Sequence, residues 1–300
     1  MLDFRMYQPG DRDGCLDLVR TGHDADFTGE RFDWLHREGP WGPTQVALAE
    51  SEGRIVGMYS VLPKAVVLDG KTYRGARDVD PVVHPDFRGQ GLFSRLLTFG
   101  LENFTDLDFL FNFANPASAA GFRKFGWRDC APLEDRVRQL GFSGSSSAAT
   151  LLWFLGLWAR PGTTGATTRM INETEFATFL DAHGDALEVA LAPDRAGVHR
   201  TAAYLRWRYL DHPLHRYSYF MAEGPAGPTG VAVCRHKPGS GQVVVLDVVG
   251  LGTQPVLGDW LDDWSDLFGK SRIVAWNSLP KEILKGFLGH PLKKGQGQTF

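Results

Sequence analysis

Apolar residues at Leu92, Leu96, Leu97, Leu101 and Phe104 recur at three- and four-residue steps, the spacing of one face of an α-helix, and predict a helix opening near Leu92. Just upstream, Val79 to Val83 has the makeup of a strand. It ends by Pro85, whose ring drives His84 toward an extended conformation. Arg88-Gly89-Gln90-Gly91 connects the two. Downstream, Asp108 to Ala114 (DFLFNFA) is an apolar run short enough to be a buried strand. Asn115-Pro116 closes it, and Ser118 is placed to cap a short helix leading to Phe122. The longest apolar run, Ala148 to Ala159, is too short to span a bilayer and is read as a buried helix in preference to one lying on a membrane.

A constant offset superposes residues 32–57 on residues 205–230 without a gap: Trp34 on Trp207, Pro40 on Pro213, Ala49 on Ala222, Glu50 on Glu223 and Gly57 on Gly230. The identities fall on packing anchors and turn formers. In each copy a Trp-bearing helix is stopped by Pro, a strand follows (Gln45 to Glu50, Tyr217 to Glu223), and a Gly-containing turn leads to a second strand. The expected organisation is a domain over 1–138, a linker with a short apolar helix over 139–168, and a related domain over 169–300. A shared local unit without common ancestry is the alternative.

Composition narrows the class. The chain of 300 residues is 43% hydrophobic and 22% charged with a formal charge of −3, as expected of a folded, water-soluble protein that presents no overall field to nucleic acid. Cys15, Cys130 and Cys234 are scattered and odd in number, which argues against a disulfide framework and for a reducing compartment. The histidines show no metal-ligand spacing, so no metal is expected. The N-terminal residues lack a signal-peptide core, and a cytoplasmic protein without integral membrane association is the expectation.

The strand–glycine turn–helix unit suits an anion. The first N–H groups of a helix have no intrahelical partner and carry partial positive charge, and glycines let an anion approach the backbone. Arg88 adds a charge beside the turn. By itself two glycines before a helix is a weak signal, but this stretch resembles the acyl-CoA-binding motif of the GNAT N-acetyltransferase superfamily. There a strand ending V-x-P is followed by R-G-x-G and a helix, as Val83-His84-Pro85 and Arg88-Gly89-Gln90-Gly91 are here. Phe93 departs, standing where many relatives have Gly or Ala, and its side chain must turn away from a bound pyrophosphate. A second likeness follows at the family's interval. Phe122-Arg123-Lys124-Phe125-Gly126-Trp127 is similar to Y-x-K-x-G-F, with Phe for Tyr and Trp for the last Phe. The resemblance covers residues 1–135 well and 169–300 faintly.

That resemblance implies an α/β (α+β) fold of two GNAT-like lobes, each a mixed, mostly antiparallel sheet flanked by helices. It implies that the central strands part after Val83 and Asn115 and that acetyl-CoA or another acyl-CoA lies in the opening. Main-chain groups of Val82 and Val83 then bond the pantetheine, the main chain from Arg88 through Gly89, Gln90, Gly91 and Leu92 to Phe93 takes the pyrophosphate, and Asn115, Ser118 and Phe122 flank the cofactor. The reaction is direct attack of an amine on the thioester, which calls for a base. Asp78 and Asp80 are the available carboxylates. Two apart on a strand, they face the same side. They are candidate bases, or else solvated groups or ion pairs with Arg74 or Arg77. Phe122 replaces a Tyr that often protonates the thiolate.

Residues 242–250 (QVVVLDVVG) supply a strand in the second half, Trp260 to Phe268 a helix and Ile273 to Asn277 another strand, but no R-G-x-G joins them. This half reads as a degenerate twin that builds one wall of the acceptor pocket. The leading expectation is an N-acyltransferase acting on a small amine, with an amino sugar as the favoured acceptor. The alternatives are a non-catalytic acyl-CoA-binding module and an ATP-binding protein, the last weakened by the missing Lys-Ser/Thr of a P-loop.

Overall fold

The structure, a computed structural model, describes residues 2–68, 70–114, 116–128, 135–139, 167–188, 197–237, 242–251 and 272–276. Asn115, Cys130, the apolar run Ala148 to Ala159, nearly all of the expected linker and the helix expected over Trp260 to Phe268 lie outside the described residues. Two compact units are present: Met1–Phe113 with Leu191–His215, and Ala114–Ala190 with Arg216–Phe300. Both carry a mixed, mostly antiparallel sheet with helices, the expected fold class.

In the first unit β1 (Leu2–Met6), β2 (Gln45–Ser51), β3 (Arg54–Leu68), β4 (Lys71–Val83) and β5 (Phe109–Phe111) lie side by side in that order. Neighbours are antiparallel except β4 and β5, which are parallel. β3 is buried without a break from Ile55 to Lys64, so both of its faces are covered. On one face, α1 (Arg12–Gly22) and α2 (Gly29–His36) bring Cys15, Leu16, Val19 and Phe32 onto Val46, Leu48, Met58 and Val82. Thr28 caps α2 by accepting the Arg31 amide at 3.1 Å. On the other face, α3 (Leu92–Asn103) lays Leu92 and Leu96 over Gly57 and passes Gly100 under the Tyr59 ring.

A later segment completes this unit. β8 (Gly197–Val198) pairs with Val66 and Val67, and a helical stretch over Ala202–Leu205 and Arg206–Leu210 brings Trp207 against Trp34. The two indoles, 173 residues apart, stack at 4.7 Å. Each donates its ring N–H to the other's backbone carbonyl, at 2.7 and 2.9 Å.

Two elements differ from expectation. β4 starts at Lys71, well before Val79, because a polar stretch pairs with the far end of β3. The run from Asp108 to Ala114 yields only three strand residues, and Phe109 and Phe113 are exposed: β5 is an edge strand, with β4 as its single partner among the described residues. Beyond it, α4 (Pro116–Arg123) opens on Pro116, so Ser118 lies inside the helix and is not its cap.

In the second unit the order is β6 (Asp135–Gln139), β12 (Arg272–Trp276), β11 (Gln242–Gly250), β10 (Gly227–Lys237), β9 (Ser218–Gly224) and β7 (Thr167–Ile171). From β7 through β9, β10 and β11 to β12 the junctions are three antiparallel and then one parallel, as from β1 to β5. The register repeats as well. Ala49 faces Gly57 and Glu50 faces Ile55, with Val56 the extra residue of a bulge. Ala222 faces Gly230 and Glu223 faces Pro228, with Thr229 extra. An ionic knot also recurs. Arg5 bonds Asp11 (2.6 Å) and Glu50 (2.8 Å), while Asp11 accepts the Gln8 amide. Arg169 bonds Glu175 (2.7 Å) and Glu223 (3.0 Å), while Glu175 accepts the Asn172 amide.

Candidate active site

The ladder between β4 and β5 covers only Gly75 to Arg77 against Phe109 to Phe111. Beyond Arg77, β4 runs on to Val83 with β3 as its strand partner, and its other edge is left without one among the described residues. The strands therefore part at Arg77 and Phe111, earlier than the expected Val83 and Asn115. Backbone groups along such an edge are donors and acceptors awaiting partners.

A bulge shapes this stretch. Met58 faces Val82 and Ser60 faces Val79, so Asp80 and Pro81 together stand against Tyr59. Asp80 is left-handed, at φ 45°, and the buried Ser60 hydroxyl donates to the Val79 carbonyl. The extra residue breaks the two-residue alternation. Asp78 and Asp80 do not face the same side, contrary to the expectation from spacing. Asp78 lies on the α3 face, accepting from the Tyr59 hydroxyl (3.0 Å) and from Nδ2 of Asn112 (3.2 Å). Asp80 lies on the α2 face, 3.3 Å from Nε2 of His36, whose Nδ1 is 3.0 Å from the Thr44 hydroxyl. The alternative of an ion pair with Arg74 is not met, since that guanidinium lies 4.0 Å from Asp106.

The two carboxyls differ in acidity. Burial outweighs the bonds from Asn112 and Tyr59 and the charge of Arg77, so the Asp78 pKa rises to about 6. Burial also pushes Asp80 up, but the hydrogen bond and charge of His36, with His23 and Arg31, outweigh it and hold Asp80 below the usual carboxylate range. Asp78 is thus the one tuned to exchange a proton near neutral pH.

After Val83, the turn Pro85–Phe87 is set by His84, whose Nδ1 accepts the Asp86 amide and whose Nε2 is 2.7 Å from Arg54. Gly89 (φ 73°) and Gly91 (φ 71°) are both left-handed, and nothing lies within 4 Å of where either Cβ would stand. Gly91 is the N-cap of α3 and brings no side chain to the first-turn amides of Leu92 and its successors. The result is an open backbone cradle of the kind that takes a phosphate. The Gln90 amide is anchored on the Asp86 carbonyl at 2.9 Å. Phe93 turns inward, edge-on to Tyr59 at 6.3 Å. The Arg88 side chain departs from its expected role beside the cradle. Its guanidinium bonds the carbonyls of Gly22 (2.6 Å) and Val83 (3.1 Å), because the C-terminal end of α1 offers unpaired oxygens and partial negative charge. Gly22 itself allows this contact: a Cβ there would stand 2.2 Å from Val82.

In the second unit Phe122 is buried, edge-on to Trp127 at 5.1 Å, and has no hydroxyl to offer as an acid. The Ser118 side chain lies outside the described residues. Among the described residues no cluster of side chains could hold a metal, and no helix is long and apolar enough to cross a membrane. Sequence reasoning passed over Tyr59, Asn112, His36 and Gly22; of the supporting residues, only His84 carried a signal, as the residue before Pro85.

Residues 3–130 match the family described as acetyltransferase (GNAT) domain. No curated protein matches. Solved structures share the fold over nearly the whole chain. A probable N-acyltransferase from Enterococcus faecalis V583 is 14% identical, with a TM-score of 0.66, over 92% of this chain and 65% of its own. The chain thus spans a little under two thirds of that relative. A GCN5-related N-acetyltransferase from Kribbella flavida is 18% identical, with a TM-score of 0.60, over 98% of this chain and 69% of its own. Saccharomyces cerevisiae N-myristoyltransferase, solved with bound myristoylCoA, is 13% identical at a TM-score of 0.53, over 97% and 81%.

Proposed function

We propose that this protein is an acyl-CoA-dependent N-acyltransferase that moves an acetyl or short acyl group to a primary amine. The observation that carries this reading is the open left-handed turn at Gly89 and Gly91. It heads α3 directly after the strand that parts from β5, so a phosphate cradle and an unpaired strand edge are contiguous. The main chain of Val82 and Val83 would bond the pantetheine arm, and that of Arg88, Gly89, Gln90, Gly91, Leu92 and Phe93 the pyrophosphate. Roles for Asn115, Ser118 and Phe122 rest on the family pattern. The bound thioester supplies the acyl group. Asp78 takes the proton from the attacking amine, directly or through water, while Asp80 fixes β4 to α2 through His36. We read the two sheets as a duplicated GNAT-like fold whose second copy, over 169–300, binds no coenzyme and serves the acceptor, an amino sugar or another small amine. The repeated register and the repeated ionic knot support that reading.

Calorimetry with acetyl-CoA, longer acyl-CoAs and ATP tests the placement. Gly91→Asn tolerates the left-handed backbone and keeps acetyl-CoA binding; Gly91→Glu adds bulk and charge and abolishes it. Unchanged affinity in Gly91→Glu would refute the cradle. A second reading, a non-catalytic acyl-CoA-binding module, draws on Phe122, an apolar ring where an acid is usual. Acetyl-CoA binding with no thiol release across a panel of amines would favour it.

A further inference from the structure

The last rung between β4 and β5 joins Arg77 to Phe111, so Asp78 and Asn112 are the first residues past it on their strands. Asn112 Nδ2 donates to Asp78 Oδ2 at 3.2 Å, a side-chain link across the point where the two strands part. The other oxygen, Oδ1, accepts from the Tyr59 hydroxyl at 3.0 Å. That ring is fully buried. Phe93 meets it edge-on at 6.3 Å, Phe104 packs at 5.5 Å, and Gly100 makes room for it, since a Cβ there would stand 2.8 Å from the ring. Neither Asp78 nor Asn112 is fully buried, so an incoming amine can reach the carboxyl.

The two donors differ in what they permit. The Asn112 amide nitrogen only donates, so a proton does not settle between it and Oδ2. A hydroxyl can turn and accept, so a proton on Oδ1 keeps a partner in Tyr59. The carboxyl is therefore bonded in both of its states. Burial opposes its charge, while Asn112, Tyr59 and the nearby charge of Arg77 favour it. The other charged groups on this side are turned elsewhere. Arg74, on the same face of β4, lies by Asp106. On α3, Arg95 covers the Phe4 ring at 4.8 Å and Glu102 is exposed.

We propose that Tyr59 and Asn112 are positioning residues that clamp the Asp78 carboxyl where the strands part, and that this one carboxyl both removes the amine's proton and returns it to the leaving thiolate. The clamp stands on the hydrogen bonds alone; its part in transfer rests on the acyltransferase reading. As the amine nitrogen bonds to the thioester carbon, an N–H bond breaks and an O–H bond forms on Asp78. When the C–S bond then breaks, the proton passes to sulfur. A free thiol leaves and Asp78 is again a carboxylate. A carboxyl that titrates near pH 6 gives its proton downhill to a thiolate, whose ordinary pKa is about 8.5. Phe122, which has no hydroxyl, then leaves no step without an acid.

Carboxyl-carbon NMR of the protein alone, with the Asp78 signal assigned by its loss in Asp78→Asn, reads the clamp without any substrate. The wild-type midpoint lies at about pH 6. Tyr59→Phe and Asn112→Ala each remove one bond to the ionised form and raise that midpoint by about one pH unit. The rising limb of kcat/KM, measured with acetyl-CoA and a panel of small amines that includes glucosamine, moves up by the same amount in each variant. No falling limb follows below about pH 10, where a separate tyrosine acid would titrate. Unchanged midpoints in both variants overturn the clamp. Shifted midpoints with a stationary limb, or a falling limb in the wild type, overturn the proton's return through Asp78. If the midpoints shift but the wild type releases no thiol with any amine, the acyltransferase reading fails and the clamp has no part in transfer.

Discussion

Asp78 and Asp80 sit two residues apart on one strand, and their surroundings send their acidities in opposite directions. Asp80 is held ionised by the hydrogen bond and charge of His36, both of whose ring nitrogens are engaged, which makes Asp80 a weaker base than Asp78. Asp78 keeps its proton until about pH 6, chiefly because its carboxylate is buried. As a general base, Asp78 gives kcat/KM a limb that rises through about pH 6 and then levels. Asp78→Asn lowers the plateau by roughly 10²–10⁴-fold and removes that limb. A merely structural carboxylate would leave the limb in place. Stability carries the same signature. A carboxyl whose folded pKa is raised from 3.8 to about 6 stabilises the fold most when protonated, and that contribution is lost as pH rises through about 6. Urea midpoints of Asp78→Asn relative to wild type should therefore improve between pH 4 and pH 7.5, by no more than about 3 kcal/mol.

At the scale of elements, the end of α1 and the end of β4 behave as one joint. Gly22 brings the helix terminus onto Val82, and Arg88 ties the carbonyls of Gly22 and Val83 together from the turn that leads to the cradle. Gly22→Ala places a methyl group 2.2 Å from a Val82 methyl and forces the two apart. The expected cost is about 1–3 kcal/mol of stability, read from urea midpoints, with acetyl-CoA affinity falling several-fold because Val83 and Arg88 shift together. Equal affinity in the two proteins would show that this joint does not set the cradle. The helix after the cradle was legible because its apolar face has a strong period and its first residue follows Gly91. The joint was not legible: Gly22 and Arg88 meet across a sequence gap that no local pattern records. For the same reason Asp78 and Asp80 were read onto one face, since the bulge between Met58 and Ser60 has no signature in the alternation of β4. The edge position of β5 depends on which strands pair beyond it, which a run of apolar residues cannot say.

For the molecule as a whole, the repeat seen in sequence acquires a physical meaning at Trp34 and Trp207. The residues that mark the 173-residue offset do more than occupy similar places. They face each other within the first unit, each indole N–H on the other's carbonyl. This reciprocal contact is made inside one compact unit. It ties the segment Leu191–His215 to the unit built by the first hundred residues, so that sequence-contiguous domain boundaries and compact units are not the same thing. Because both donors and both acceptors are buried, losing one indole N–H strands a carbonyl as well as a ring. Trp34→Phe and Trp207→Phe should each cost about 1–3 kcal/mol, and the double variant should cost less than their sum by about 0.5 kcal/mol or more. The stacked indoles also predict a far-UV exciton couplet that either single substitution removes completely. Additive costs with the couplet intact in one variant would mean that the two rings do not meet, and the anchoring of the later segment would have to lie elsewhere.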